Sequence, residues 1–326
     1  MADRFFFLRV AASKSPINAV FPFAQQSTLG SAAVHYWPAK RGIDTAPEHV
    51  TVLMLGNPGS LDYYTKFMHY IQDQLPDSHA LLALSHVGAD PRLPPPEDGP
   101  LDLPQHLATK IDFIQSLKQS LGEWARETDE NAPQPKVALV GHSVGAWLTV
   151  EIMKRVDIEA GYLMFPTLGW IADTHNGWKL WPIFRAPLFQ FLPMLAGTTK
   201  PVTSAVCSAF SVNPATAEMI GSSDIVRSVL TMATSEMKVI RSPDLEWYKA
   251  QAQKPRANGV YGVWSGSSLD GWVGKEGPMI RDVLGEKRST VLDGVPHAFV
   301  LNDAHSQTVA DVVAGWINGS KPNGHL

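Results

Sequence analysis

Residues 137–155 read VALVGHSVGAWLTVEIMKR, and this stretch decides the fold. Val137 to Val140 is a continuous apolar run, the pattern of a strand covered on both faces. Ala146 to Arg155 continues as a helix. Between them, Gly141-His142-Ser143-Val144-Gly145 has the G-x-S-x-G spacing of a nucleophile set on a sharp strand-to-helix turn. Such a turn holds the serine backbone in a strained conformation, and side chains at 141 and 145 would clash there. The helix N-terminus also points its free N–H groups and positive dipole end at any negative charge that develops nearby. Ser143 is therefore the candidate nucleophile, with a plain turn serine as the alternative.

Working outward, Val34 to Pro38, Val50 to Leu55 and His79 to Val87 are apolar, β-branched or short hydrophobic runs bounded by turn residues, hence strands. Tyr64, Phe67, Met68, Ile71 and Leu75 recur at helical spacing within Leu61 to Leu75. Ile111, Ile114, Leu117 and Leu121 do the same within Leu107 to Trp124. The proline-rich stretch from Pro91 to Pro104 between them is expected to be loop. Ala160 to Phe165 is a further strand. Alternation of strand and helix predicts a mostly parallel sheet flanked by helices.

From about Leu168 to Arg241 the alternation breaks. An aromatic, proline-punctuated segment, WKLWPIFRAPLFQFLPML, is followed by helical sequence around Ile225 to Ile240. This reads as a helical apolar cap: residues 1–167 and 242–326 form the core and 168–241 the insertion. Strands return at Gly259 to Ser265 and Ser289 to Leu292, and Ser306 to Ile317 ends the chain as a helix. The opening, Met1 to Val10, reads as a first strand.

The chain has 326 residues, 44% hydrophobic and 18% charged, with a net charge of −4 and one cysteine. That composition excludes general disorder and a disulfide scaffold. Basic residues are scattered, so no nucleic-acid partner is expected. The first apolar run is too short for a signal-peptide core, and no uncharged stretch of about 18 apolar residues exists to span a bilayer. The chain reads as soluble and intracellular. No Cys/His cluster has ligand spacing and no G-x-G-x-x-G loop occurs, so neither metal nor organic cofactor is expected. Oligomeric state is not legible.

A serine nucleophile needs a base, and His297, in a loop after the last strand, has the right place in chain order. His305 competes with it, while His142, inside the turn, is expected to pack. Asp270, after the strand Gly259 to Ser265, is the candidate acid, with Asp173 and Asp293 as alternatives; Asp293 also suits a turn with Gly294. Oxyanion stabilisation needs two backbone N–H groups. Val144 follows the nucleophile, and Asn57 lies in the Gly56-Asn57-Pro58-Gly59 loop, where Pro58 has no N–H to offer. Trp181, Phe184, Phe189, Phe191 and Leu192 suit a lipid–water interface, with a buried roof over an acyl pocket as the alternative. Prolines 182, 187 and 193 are expected to prevent one long helix there.

These residues, together with Tyr63-Tyr64, Phe67, Leu84-Ser85-His86-Val87-Gly88, Gln105, Lys110, Phe113, Phe165-Pro166-Thr167, Asn176-Gly177, Asp270-Gly271-Trp272 and Pro296-His297-Ala298-Phe299, resemble the lipid droplet-associated hydrolase family within the α/β hydrolases. The resemblance implies an α/β-hydrolase fold and a serine esterase or lipase-like enzyme. It would act on lipid-like acyl esters, sterol esters or acylglycerols, with Ser143, Asp270 and His297 as nucleophile, acid and base. It also implies peripheral attachment to a lipid droplet or membrane surface, with the cytoplasm or the endoplasmic reticulum surface as other locations. Competing readings are a weakly active or non-catalytic lipid-droplet surface protein, and an acyltransferase or thioesterase on the same fold.

Overall fold

The computed structural model of the protein describes residues 4–11, 15–23, 29–209, 214–266 and 270–319, with backbone alone for 199–209 and 214–215. Eight strands form one sheet: β1 Ile17–Pro22, β2 Ser31–Trp37, β3 His49–Met54, β4 His79–Leu84, β5 Lys136–His142, β6 Ala160–Met164, β7 Gly259–Ser265 and β8 Ser289–Leu292. Their order is β1-β2-β4-β3-β5-β6-β7-β8. Pairings β1/β2 and β2/β4 are antiparallel, and all others are parallel. Central strand β5 is buried from Val137 to His142, which is why it reads as an unbroken apolar run rather than an alternating one.

Helices cover both faces. On one lie α1 (Thr65–Gln74) and the C-terminal α10 (Asp303–Ile317); on the other lie α2 (Leu103–Thr128), α3 (Val144–Met153), α8 (Leu245–Ala252) and α9 (Glu276–Leu284). Helix α1 buries Phe67, Met68 and Ile71 against the sheet. Each such side chain contributes about 1.5–3 kcal/mol on leaving water, enough to hold a helix that has no side-chain cap. Helix α2 starts four residues earlier than its apolar period suggests. Asp102 and Gln105 form a reciprocal capping box, and Pro104 sits in the first turn, where its missing N–H costs nothing.

The N-terminal expectation is corrected. Phe6–Arg9 is a 3-10 turn, not a strand, and the sheet's edge strand is Ile17–Pro22. Consecutive phenylalanines cannot all face one side of a strand. The turn instead puts Phe5 against Phe21 and Phe113, with ring centroids 5.0 and 5.4 Å away, and buries Phe7 and Leu8.

Between β6 and β7 the chain is helical: α4 (His175–Leu180), a 3-10 turn Trp181–Phe184, α5 (Leu188–Ala209), α6 (Pro214–Ile220) and α7 (Ser223–Val239). Pro182 and Pro187 fall at breaks between these helices, as expected, but the expectation fails at Pro193, through which α5 runs. One proline removes a single backbone bond from a helix. Burial of Pro193 and Ala196 and packing of α5 on α7 offset that loss. None of the described helices is long and apolar enough to cross a membrane.

Five buried histidines give the fold a pH signature. Burial lowers His35 to about 4 and His79, His106 and His142 to about 3, and it holds His86 well below its ordinary value. The folded chain keeps these rings neutral while the unfolded chain protonates them below about pH 6.5. Their stabilising contribution is therefore complete above that pH and is lost as pH falls toward their folded values. Circular dichroism is expected to show cooperative unfolding with a midpoint between about pH 4 and 5. A chain still folded at pH 3 would contradict this reading.

Candidate active site

Ser143 sits at the end of β5 with φ 56° and is the residue before α3. The two flanking glycines have separate reasons. A Cβ at Gly141 would lie 2.4 Å from the carbonyl oxygen of Gly145, and one at Gly145 would lie 2.1 Å from that of Met54. Only glycine lets the turn close this tightly against β3. The Ser143 N–H donates to Met164 O at 3.1 Å, tying the turn to neighbouring β6.

The structure brings three of the expected residues into line. Ser143 Oγ lies 2.9 Å from His297 Nε2, and His297 Nδ1 lies 2.8 Å from Asp270 Oδ2. The other Asp270 oxygen accepts the Trp272 N–H at 3.0 Å, which orients the carboxylate. With Nδ1–H donating to Asp270, Nε2 is free to accept the Ser143 proton. The competing residues lie elsewhere: Asp173 and Asp293 are exposed, and His305 sits in the first turn of α10, its backbone N–H capped by Asn302.

His142 does more than pack. Tyr64 O–H donates to its Nδ1 at 2.6 Å, and its Nε2–H donates to the backbone oxygen of His297 at 2.9 Å. Tyr64 O also accepts the Gly56 N–H at 3.2 Å. One chain of hydrogen bonds thus joins the loop after β3, the Ser143 turn and the His297 loop. Burial, with the nearby His297, lowers His142 to about 3 and keeps it the neutral ring this chain of bonds needs.

The Gly56-Asn57-Pro58-Gly59 loop lies directly against the turn, since a Cβ at Gly56 would be 3.1 Å from Ser143 Cβ. Asn57 and Ser143 line one cavity, and Val144 opens α3, so its N–H is among those without an intrahelical partner. Gly59 (φ 79°) presses on the His86 ring, where an added Cβ would come within 2.2 Å. Lys110, fully buried on α2, donates to the carbonyls of Leu84 and Ser85. Burial lowers its pKa to about 7. The Leu84–Gly88 and Lys110 motifs therefore build the floor under this loop.

The cavity encloses about 520 Å³. Ser143, His297 and Asn57 lie on its wall together with apolar side chains from the helices between β6 and β7, among them Leu180, Ile183, Phe184, Leu230 and Met237. Of the five expected interface residues, Trp181 and Phe191 are exposed, Phe184 faces the cavity, and Phe189 and Leu192 are half-buried. Helical spacing explains the split. Phe189, Leu192, Pro193 and Ala196 form the inner stripe of α5, and Leu188, Phe191, Met194 and Leu195 the outer one. Trp178, on α4 of the same aromatic segment, is exposed as well.

Sequence reasoning missed Glu236. It is buried on α7, lines the cavity and accepts Asn57 Nδ2–H at 3.0 Å. The signal was present: Ile225, Met232 and Ile240 mark the apolar stripe of that helix, and Glu236 falls on the same stripe at i, i+4 spacing.

Comparison with known proteins agrees with this geometry. The profile of the family described as lipid-droplet associated hydrolase matches residues 47–300. The mouse protein named lipid droplet-associated hydrolase is 27% identical over 304 residues, spanning 85% of this chain and 86% of its own length. The Drosophila melanogaster protein of that name is 25% identical over 315 residues, spanning 89% and 96%. Among solved structures, a soluble variant of monoglyceride lipase from Saccharomyces cerevisiae superposes with TM-score 0.57 at 13% identity, covering 95% of this chain and 97% of that one. A 2-hydroxy-6-oxo-6-phenylhexa-2,4-dienoate hydrolase from a Rhodococcus species superposes with TM-score 0.59 at 14% identity, covering 94% and 99%. These structures share the α/β-hydrolase fold. With its profile matched across most of its length and its sheet arranged as in those hydrolases, the chain belongs to the lipid-droplet associated hydrolase family.

Proposed function

We propose that the protein is a serine ester hydrolase acting on lipid-like acyl esters at the surface of lipid droplets. The observation that carries the reading is the hydrogen-bonded line Ser143–His297–Asp270 opening onto an apolar cavity. Ser143 Oγ attacks the ester carbonyl while His297 Nε2 takes its proton, and Asp270 holds the ring and stabilises the imidazolium. The N–H groups of Asn57 and Val144 receive the oxyanion. His297 then gives its proton to the departing alcohol and activates the water that releases the acid.

The apolar wall supports an acyl chain as the bound part of the substrate. Each methylene buried is worth about 0.8 kcal/mol, or about fourfold in kcat/KM. A series of p-nitrophenyl esters is therefore expected to gain about that factor per carbon until the cavity is full. A fluorophosphonate probe should label the protein once. A flat chain-length series would remove the lipid-ester reading, and a protein that never labels would remove the serine mechanism.

Attachment to the droplet is carried by the outer face of the insertion, where Trp178 is 77% exposed, Met194 62% and Phe191 59%. Tryptophan beside an apolar body suits a lipid–water boundary. Replacing Trp178, Phe191 and Met194 together with serine is expected to release the protein from isolated droplets in a flotation assay. Turnover of a short soluble ester should change by less than about threefold, because surface substitutions usually cost within about 0.5 kcal/mol. Unchanged flotation would place the contact elsewhere.

A further inference from the structure

Helix α7 brings an ionisable side chain to the cavity wall beside the loop that faces Ser143. Glu236 Oε1 accepts one proton of the Asn57 carboxamide at 3.0 Å, and the backbone oxygen of Val229 accepts from the same nitrogen at 3.1 Å. The other end of that carboxamide is unmatched. Asn57 Oδ1 is buried and has no hydrogen-bond partner among the described residues. A buried acceptor left without a donor is unfavourable, and the Glu236 carboxyl, already hydrogen-bonded to this side chain, can supply one when protonated.

We propose that Glu236 stands as the neutral acid and makes a two-point pair with Asn57, its Oε1 accepting from Nδ2–H and its Oε2–H donating to Oδ1, so that the helical insertion fixes the oxyanion loop from 179 residues away. The inference rests on the reading of Ser143 as nucleophile and Asn57 as oxyanion donor. Glu236 is a positioning residue in it. The Asn57 N–H sits one residue from Gly56, which packs on Ser143, so a turn of the Asn57 side chain would move the donor off its target.

Ionisation would undo the pair twice over. A carboxylate has no proton for Asn57 Oδ1, and it would set a negative charge beside the forming oxyanion. The surroundings favour the neutral form. Burial raises the carboxyl to about 8, opposed by the Asn57 hydrogen bond. The ionisable groups sharing the cavity are His142, His297, Tyr63 and Tyr64, with Asp270 engaged by His297. From α2 come the buried Lys110 and His106. Asp173 before α4 and Glu218 of α6 are exposed, as are Asp224, Arg227 and Lys238 of α7 itself. The 181–184 turn and residues 188–198 of α5 contribute none. Among the described residues, burial and the Asn57 hydrogen bond are what act on the Glu236 carboxyl, with no cation among the causes.

The test compares the full chain with Glu236→Gln and Glu236→Leu. Infrared difference spectra of wild type against Glu236→Gln should show a protonated carboxyl band at pH 7 that disappears above about pH 8. In steady-state kinetics on a soluble short-chain ester, wild-type kcat should fall above about pH 8, after subtraction of spontaneous hydrolysis. Glu236→Gln offers acceptor and donor at every pH, so it should remove that alkaline limb. Glu236→Leu should lower kcat on the order of 10–100-fold, with KM changed by less than about threefold. Glutamine should restore most of what leucine loses.

Absence of the band at pH 7, persistence of the alkaline limb in Glu236→Gln, or full kcat in a folded Glu236→Leu would each overturn the proposal. If Glu236→Leu does not fold, the glutamine pH profile and the infrared band decide. The band is independent of catalysis, so loss of the pair is distinguishable from a wrong nucleophile, which Ser143 labelling reports on its own.

Discussion

Ser143→Ala is expected to abolish labelling by a fluorophosphonate probe and to lower ester turnover by about 10⁶-fold. The scale follows from enzymes in which serine and histidine act as one unit, where losing either removes nearly all of the covalent route. What survives is the contribution of the oxyanion groups and binding, roughly 10³–10⁴-fold over water. The effect should be purely chemical. Alanine keeps a Cβ, so the backbone at φ 56° carries the same strain as in the native turn. The hydroxyl's hydrogen bond is to His297, in a cavity rather than in the packed core. Melting temperature should therefore stay within a few degrees, and intact-protein mass spectrometry should show no probe adduct. A folded alanine variant that still labels, or keeps more than about 1% of turnover, would move the chemistry to another residue.

Asp270→Asn is expected to cost up to about 10⁴-fold in kcat with little loss of stability. The Trp272 N–H donates to Asp270 Oδ1 at 3.0 Å, and the asparagine oxygen can keep that bond. Its NH₂ would then point at His297 Nδ1, where the native carboxylate oxygen accepts at 2.8 Å. Two donors cannot face each other, so the imidazole would take the other tautomer and present N–H, not a lone pair, to Ser143. Asp293→Asn, at an exposed turn, should stay within about twofold. A severe loss at Asp293 or Asp173, with normal kinetics at Asp270, would reassign the acid. Measuring kcat for all three variants on one soluble ester settles which carboxylate serves His297.

Both effects act on residues that could be named from the chain alone, because the Ser143 turn is a local object. Strand, two glycines and helix lie within 19 consecutive residues, and each is dictated by sterics or burial that neighbours in sequence impose. The parallel sheet was legible for the same reason: each strand and the helix after it carry their own apolar period. His297 and Asp270 were legible by their order relative to strands. That order favours Asp270 over Asp173, and the turn with Gly294 sets Asp293 aside, but the 2.8 Å contact to His297 is a fact of tertiary structure.

Elsewhere local pattern and final structure part company. Phe5 and Phe7 have strand-like chemistry, yet the partners of Phe5 16 and 108 residues on, Phe21 and Phe113, and that of Phe7, Tyr36, pull the segment into a 3-10 turn. Pro193 argues against a helix on propensity, yet α5 continues through it because α7 packs alongside. Phe189 and Phe191 look alike in sequence, but only the direction in which α5 meets α7 makes one half-buried and the other exposed.

The sequence alone determined the alternation of strands and helices, the Ser143 turn and the candidates for base and acid, since these depend on backbone geometry and short-range burial. Tertiary structure decided which carboxylate meets His297, how Tyr64 and His142 brace the base loop, and that Glu236 meets Asn57. The physical reason is the range of the interactions. Hydrogen bonds between groups up to 179 residues apart leave no periodicity in the chain, and they exist only once burial has removed the water that would otherwise satisfy each partner.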